Sequence, residues 1–446
     1  MISPTRAGQR EWIALGVLML PVLLVSVDNT VLSFALPEIS QELRPTGNQL
    51  MWIVDLYALM LAGLLIAMGS LGDRIGRRKL LIIGSIGFGL ASALAAFSTS
   101  AEMLIVARAL LGFFGATLMP STLSLIRNIF TNDRDRRLAI ATWAAMFSGG
   151  AVLGPIVGGY LLEHFWWGSV FLINVPLIIV FIPAALAVIP ESKDPNPGRF
   201  DPISIVLSLA VMVPLVFAIK HGASHGLDDI VLASLALGIG SGWMFVRRQR
   251  TSTSPLLDLT LFKNPVFSGA LIANALSLMG LAGFLYFGAQ LLQLVLGLSP
   301  LESALVLVPG LLATMIAGFA AVRLVEKISV RTLVPMSFLL SSVGYAMAAF
   351  TGHPTVASVA VAFTVLGIGI GLAETITNDL ILSSVPPQKA GAASAISETA
   401  YEIGAVLGTA VLGSVLTATF RQNLTIPAVA KFGENENAFE TLGSTM

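Results

Sequence analysis

Apolar residues run along this chain in long blocks, and the polar residues that separate them are few and clustered. A helix that crosses a hydrocarbon core of about 30 Å needs roughly 20 apolar residues at 1.5 Å each. Thirteen blocks meet that length, near 12–36, 49–70, 79–98, 101–125, 138–162, 170–190, 203–220, 229–246, 266–294, 302–322, 331–350, 355–380 and 390–418. The pattern predicts an all-α polytopic membrane protein. The first block follows Arg6 and Arg10, yet it is too long for a secretory leader and lacks a small-x-small cleavage site, so it reads as a retained span.

Basic residues test the assignment, because cytoplasmic loops hold the excess of Lys and Arg. About 20 fall on the side of the N-terminus and about 4 opposite, at Arg44, Lys220, Arg421 and Lys431, while Arg108 lies inside a span. The N-terminus is therefore expected in the cytoplasm, and an odd span number puts the residues after Arg421 outside as a polar tail. Two polar cytoplasmic segments, Glu191 to Asp201 and Arg247 to Lys263, divide the chain. The expected units are a six-span bundle over 1–190, two spans with their flanking loops over 191–263, and a five-span unit with the tail over 264–446.

Composition narrows the classes. With 55% hydrophobic and 11% charged residues and a mean hydropathy of +0.86, the chain is no water-soluble globule. Its 25 basic and 25 acidic residues leave no charge excess to hold nucleic acid. The absence of cysteine removes thiolate metal sites and thiol nucleophiles. No GxxxxGK phosphate loop occurs, so transport energy has to come from an ion gradient and no cofactor is expected. GASHG at 222–226 has the spelling of a nucleophile elbow but is placed in a short outer loop rather than a strand-to-helix turn. His164, His221, His225 and His353 are all assigned to outer loops, and a helical His pair without a third ligand is no metal site.

Charges within spans are costly, about 2.5–3.5 kcal/mol each on insertion scales, and default to functional candidates. Asp28 lies 16 residues into the first span, Asp55 about 6 into the second and Arg108 about 7 into the fourth, the last two counted from the outer face. At 1.5 Å per residue all three share the outer half of the membrane, so either carboxylate can pair with Arg108. Protonation that competes with such a pair would bias a conformational switch; a static pair would only specify packing. Glu398 and Glu402 lie four apart on one face of the last span. Glu402 falls near midplane, where transporter sites form, and Glu398 completes the proton-coupling set. Glu374 in span twelve is a further acidic candidate. Ring faces attract cations, and Trp52, Tyr57 and Tyr401 lie within a turn of acids. Together with Asp55, Glu374 and Glu402 they form the expected substrate-binding set.

Between spans two and three, GSLGDRIGRR holds Asp73 among Arg74, Arg77 and Arg78. The positive-inside rule explains the arginines but neither Asp73 nor the glycines. The expected role is a latch in which the arginines reach carboxylates across the bundle. Gly150, Gly154 and Gly158 are four apart beside Gly159 and Pro155, a face on which another helix can approach closely.

Several of these stretches carry a family likeness. GSLGDRIGRRKLL at 69–81 resembles the signature loop of the major facilitator superfamily, and LIVARALLGFFGA around Arg108 its second motif. GAVLGPIVGG at 150–159 is similar to the motif of its antiporters. With VDNTVLSFALPEI at 27–39 and WWGSVFLINVP at 166–176, the chain resembles the fourteen-span drug:proton antiporter branch along nearly its whole length. The resemblance implies two six-helix bundles with two inserted central helices, the last helix being absent from this chain. It implies that Gly150, Gly154 and Pro155 act in the conformational switch and against leak. It further implies a monomeric exporter in the bacterial inner membrane that exchanges protons for lipophilic, cationic drugs, antiseptics and dyes. The rival readings are a proton-coupled exporter of one metabolite and, from another class, a membrane-embedded enzyme or receptor.

Overall fold

The computed structural model describes residues 7–194, 201–252, 255–350, 354–385 and 390–423. Among these residues the long elements are all helices: α1 Gln9–Leu43, α2 Gly47–Ile75, α3 Arg77–Ala96, α4 Ala101–Ile129, α5 Asp133–His164, α6 Ser169–Leu172, α7 Asn174–Val188, α8 Pro202–His225, α9 Asp229–Thr251, α10 Pro265–Gln290, α11 Pro300–Leu324, α12 Val330–Ala349, α13 Val356–Ser383 and α14 Ala390–Asn423. Twelve helical segments of the described residues are long and apolar enough to cross a membrane. α14 coincides with the thirteenth apolar block and carries Glu398 and Glu402. The expected outer tail with Lys431, and also Lys389 and His353, lie outside the described residues.

Short connections are possible because the helix ends are capped from within. Thr46 and Gln49 satisfy each other's backbone donors at the start of α2, as Ser299 and Glu302 do for α11. Two spans depart from simple rods. The sixth breaks into α6 and α7 at Ile173. The ninth ends in one π-helical turn, Leu291–Val295, from which Gln293 Nε2 reaches 3.3 Å to the Phe34 carbonyl of α1.

In a bilayer, lipid tails are as apolar as leucine, so helices associate through close packing and not through the hydrophobic effect. The glycines supply it. A Cβ added at Gly150 would stand 2.7 Å from Ser26 Cβ, and Cβ atoms at Gly154 and Gly158 would overlap the side chains of Thr30 and Val31, so α5 lies directly on α1. At Gly159 the same atom would be 2.7 Å from Leu301 Cα of α11. Gly404 and Gly408 let α14 touch the carbonyls of Ala275 and Met279 in α10.

Helices α1 to α7 pack largely on one another, and α10 to α14 do likewise. α8 and α9 pair as a hairpin, and α8 also packs on α2 and α14, one from each group. Asp201 caps α8 through Ser204 N at 3.1 Å and holds Arg248 of α9 with three bonds of 2.9–3.1 Å, which ties the hairpin at its base. α8 continues through GASH to His225, so residues 222–225 are a last helical turn and not the loop expected, and Lys220 and His221 belong to the helix. His164 likewise ends α5.

Candidate functional site

Gly112 of α4 faces the Tyr57 carbonyl of α2, where an added Cβ would meet it at 2.5 Å. That approach fixes Arg108, one turn earlier, against α2. Its Nε donates to the Ile53 carbonyl at 3.0 Å, its Nη1 to Asp28 Oδ2 of α1 at 2.8 Å, and its guanidinium carbon sits 4.4 Å from the Tyr57 ring centroid. The side chains of Arg108 and Asp28 are 3% and 0% exposed, so three helices are joined by a buried charge pair. Depth along the chain left both carboxylates open as the partner; the structure selects Asp28.

Asp55 is engaged elsewhere. Thr409 Oγ1 of α14 donates to its Oδ1 at 2.7 Å, and Lys220 Nζ of α8 forms an ion pair with its Oδ2. Lys220 corrects the expectation of an outer-loop residue: its side chain is 7% exposed and points into the protein. It is also the buried charge beside the cavity wall that sequence reasoning missed. The signal was present, because a lone lysine closing an apolar run on the side poor in basic residues is unusual.

Between the two helix groups lies a cavity walled by α1, α2, α4, α10 and α14. Leu32, Leu36, Leu278, Leu281, Leu285 and Val406 give it apolar walls, and Asp55, Tyr57, Arg108, Asn29, Tyr401 and Glu402 give it polar ones. Glu402 is buried and faces Asn29 of α1. Among the described residues it has no ion pair. Glu398 lies one turn away on α14, outside the lining and within electrostatic reach of Arg127.

Two expected substrate contacts are not in the lining. Trp52 stacks on Phe217 of α8 with ring centroids 6.1 Å apart, because the inserted helix packs over that face of α2. Glu374, on α13, is outside the lining and within electrostatic reach of Tyr401. Tyr401 meets Phe147 edge-on at 5.9 Å, and Phe147 stacks on Trp143 at 6.2 Å, so an aromatic row runs from α14 to α5 at the cavity's edge. Among the described residues no group of three or more His, Asp or Glu could hold a metal ion.

The loop before α3 is built around an anion at a helix start. Glu191, beyond α7, accepts from the amides of Arg78 at 3.0 Å and Lys79 at 3.1 Å, where the helix dipole favours negative charge. Gly76, with φ of 111°, lets the carboxylate in, since a Cβ there would lie 2.8 Å from it. Asp73 holds Arg77 at 2.7 Å, and Asp73 O accepts from Asp194 N at 2.9 Å. Arg74 is exposed at the end of α2.

Comparison with known proteins agrees with this architecture. Residues 18–409 match the sequence profile of the Major Facilitator Superfamily. The chain is 54% identical over 442 residues to the multidrug efflux pump LfrA of Mycolicibacterium smegmatis, covering 99% of this chain and 88% of the relative. It is 36% identical over 446 residues to the methyl viologen resistance protein SmvA of Salmonella typhimurium, covering 98% and 89%. It is 32% identical to the tetracenomycin C resistance and export protein of Streptomyces glaucescens, over 92% and 76%. Among solved structures, a bacterial homologue of the human lysosomal transporter Spinster superposes with a TM-score of 0.63 at 18% identity, covering 98% of this chain and 92% of that one. The sequence match over most of the chain, carried on that shared fold, places this protein in the major facilitator superfamily.

Proposed function

We propose that the protein is a proton-driven antiporter that exports lipophilic, cationic compounds across the bacterial inner membrane, with its N-terminus in the cytoplasm. One observation carries the reading: the charge balance of the cavity. Asp28 with Arg108 and Asp55 with Lys220 are neutral pairs, which leaves Glu402 as the buried acid without an ion-pair partner among the described residues. A carboxylate in low dielectric between apolar walls holds either a proton or a cation, not both. Exchange follows from that exclusion. A cation arriving from the cytoplasm releases the proton, and a proton arriving from outside releases the cation.

The name of LfrA as a multidrug efflux pump and of SmvA as a methyl viologen resistance protein support export of several compounds. The two-group helix arrangement supports alternation as a single chain, with α1–α7 and α10–α14 as the moving bundles and α8–α9 inserted between them. Gly150, Gly154 and Pro155 keep α5 close to α1 during that movement, and the Asp73–Arg77 loop braces the cytoplasmic end of the first bundle. Asp28, Asp55, Arg108, Glu398 and Glu402 carry the proton linkage in this scheme.

The test is transport in proteoliposomes with an imposed pH gradient and ethidium as the probe. Uphill ethidium movement that collapses when the gradient is dissipated is the expected result. Movement indifferent to the gradient would refute proton coupling, and no movement of any lipophilic cation would refute the substrate class.

A further inference from the structure

The inserted hairpin reaches one acid of the cavity wall, Asp55, although none of its own residues line the cavity. α8 runs 18 residues from Pro202 to Lys220, about 27 Å at 1.5 Å each, and delivers its lysine to Asp55, 8 residues into α2 from the opposite face. The helix has to be where it is for this contact. Leu209 fills the space at Gly63 of α2, and Ser208 Oγ donates to the Gly63 carbonyl at 3.0 Å. Near the outer end Phe217 is clamped between Trp52 at 6.1 Å and His221 at 5.2 Å, and His221 is held by Asp228 at 2.9 Å.

We propose that Lys220 is a built-in cation that occupies Asp55 and so shifts the cavity's preference toward substrates with fewer positive charges. The inference rests on the reading of the cavity as a binding site for lipophilic cations. Asp55 lines that cavity beside Arg108, with Glu402 of α14 on the same wall set. If Asp55 were unpaired, the cavity would hold two carboxylates beyond the Asp28–Arg108 pair and would suit a dication. With the ammonium in place it holds one, and a second positive charge on a ligand finds Asp55 already neutralised. The groups that face Asp55 are Lys220 from α8, Thr409 from α14 and Tyr286 from α10, the last within electrostatic reach. Of these only Lys220 brings a positive charge.

This assigns the inserted helices a part in specificity, through one residue that meets neither proton nor substrate directly in the first instance. A packing role alone would predict the opposite pattern, in which replacing Lys220 changes stability and leaves charge preference as it was.

The test compares affinities of the purified protein for the monocation tetraphenylphosphonium and the bis-quaternary dication dequalinium at one fixed pH. Lys220→Gln is expected to raise the dication-to-monocation affinity ratio at least tenfold, Lys220→Arg to leave it as in the wild type, and the Asp55→Asn/Lys220→Gln double variant to return it to the wild-type value. An unchanged ratio in folded Lys220→Gln protein overturns the proposal, as does a double variant that keeps the raised ratio. Should Lys220→Gln fail to fold, Asp55→Asn alone decides: the uncompensated lysine is expected to weaken monocation binding at least tenfold relative to the double variant, and equal binding overturns the proposal. Wild-type protein that binds neither probe would instead refute the cation reading on which the inference stands.

Discussion

The Asp28–Arg108 pair offers a quantitative test of whether the buried charges act together. Arg108 makes three interactions, to Asp28 at 2.8 Å, to the Ile53 carbonyl at 3.0 Å and to the face of Tyr57 at 4.4 Å. Removing one partner of a buried pair costs about 3–5 kcal/mol, because the survivor is left uncompensated. Asp28→Asn should fall at the low end, about 3 kcal/mol, since the carbonyl and the ring still hold the guanidinium and the amide oxygen can still accept from Nη1. Arg108→Gln should cost about the same, because Asp28 can take up a proton in place of its partner. In the double variant neither group is charged, so its loss should fall short of the sum by about 2–3 kcal/mol. The measurement is reversible unfolding in mixed micelles for the four proteins, with ethidium transport run in parallel. Both single variants and the double should lose gradient-driven accumulation. Losses that add to within about 0.5 kcal/mol would show that the two residues do not couple, and the pair could not then be the element that protonation switches.

Other outcomes follow from the same geometry. Glu402→Gln keeps the shape of the cavity and removes its unpaired acid; monovalent cations should bind more weakly and the fall of affinity with falling pH should flatten, while equal pH slopes at about pH 6 and 8 would move the site to another acid. Arg77→Ala frees Asp73 and should slow turnover while leaving substrate affinity in a direct binding assay near its wild-type value; equal losses of both would point to misfolding. Asp201→Ala removes a helix cap worth about 1 kcal/mol and should raise hydrogen exchange in the first turn of α8. Arg248 holds the Asp201 carboxyl down to about 2, below its ordinary 3.8. A depressed pKa contributes stability above the ordinary value and loses it as pH falls toward 2, so protection of that turn relative to intrinsic exchange should be flat from pH 5 to 8 and fall only in strong acid.

The helices were legible because a bilayer imposes one rule on every span. Blocks such as 101–125 and 355–380 became Ala101–Ile129 and Val356–Ser383, with ends set by caps a few residues beyond the apolar run. Burial of Asp28, Asp55, Arg108 and Glu402 followed from their depth. What depth does not contain is azimuth. Asp28 and Asp55 sit at similar heights, and only the packing of α4 on α2 through Gly112 decides that Arg108 takes the first. Lys220 was misplaced for a related reason: hydropathy ends a span at its first charge, whereas the helix continues to His225 and folds that charge inward. Glu191 was out of reach altogether, because its partners lie 112 and 113 residues away in the chain and nothing local marks a carboxylate as another helix's anion.

Helix α5 meets its neighbours on two adjoining sides. Gly150, Gly154 and Gly158 bed it on α1, and Gly159, one residue and so about 100° further round, sets it against Leu301 of α11. The first contact lies within one group of helices and the second crosses to the other. A single rod thus carries two tight seats side by side, and a one-residue shift of its register would bring Leu153 and Val157, or Ala151 and Pro155, to the α1 seat in place of the glycines. Both contacts leave no room even for a methyl group. An insertion or deletion between Gly150 and Gly159 is accordingly a harsher change than any single replacement there, since it sets side chains against both neighbours at once.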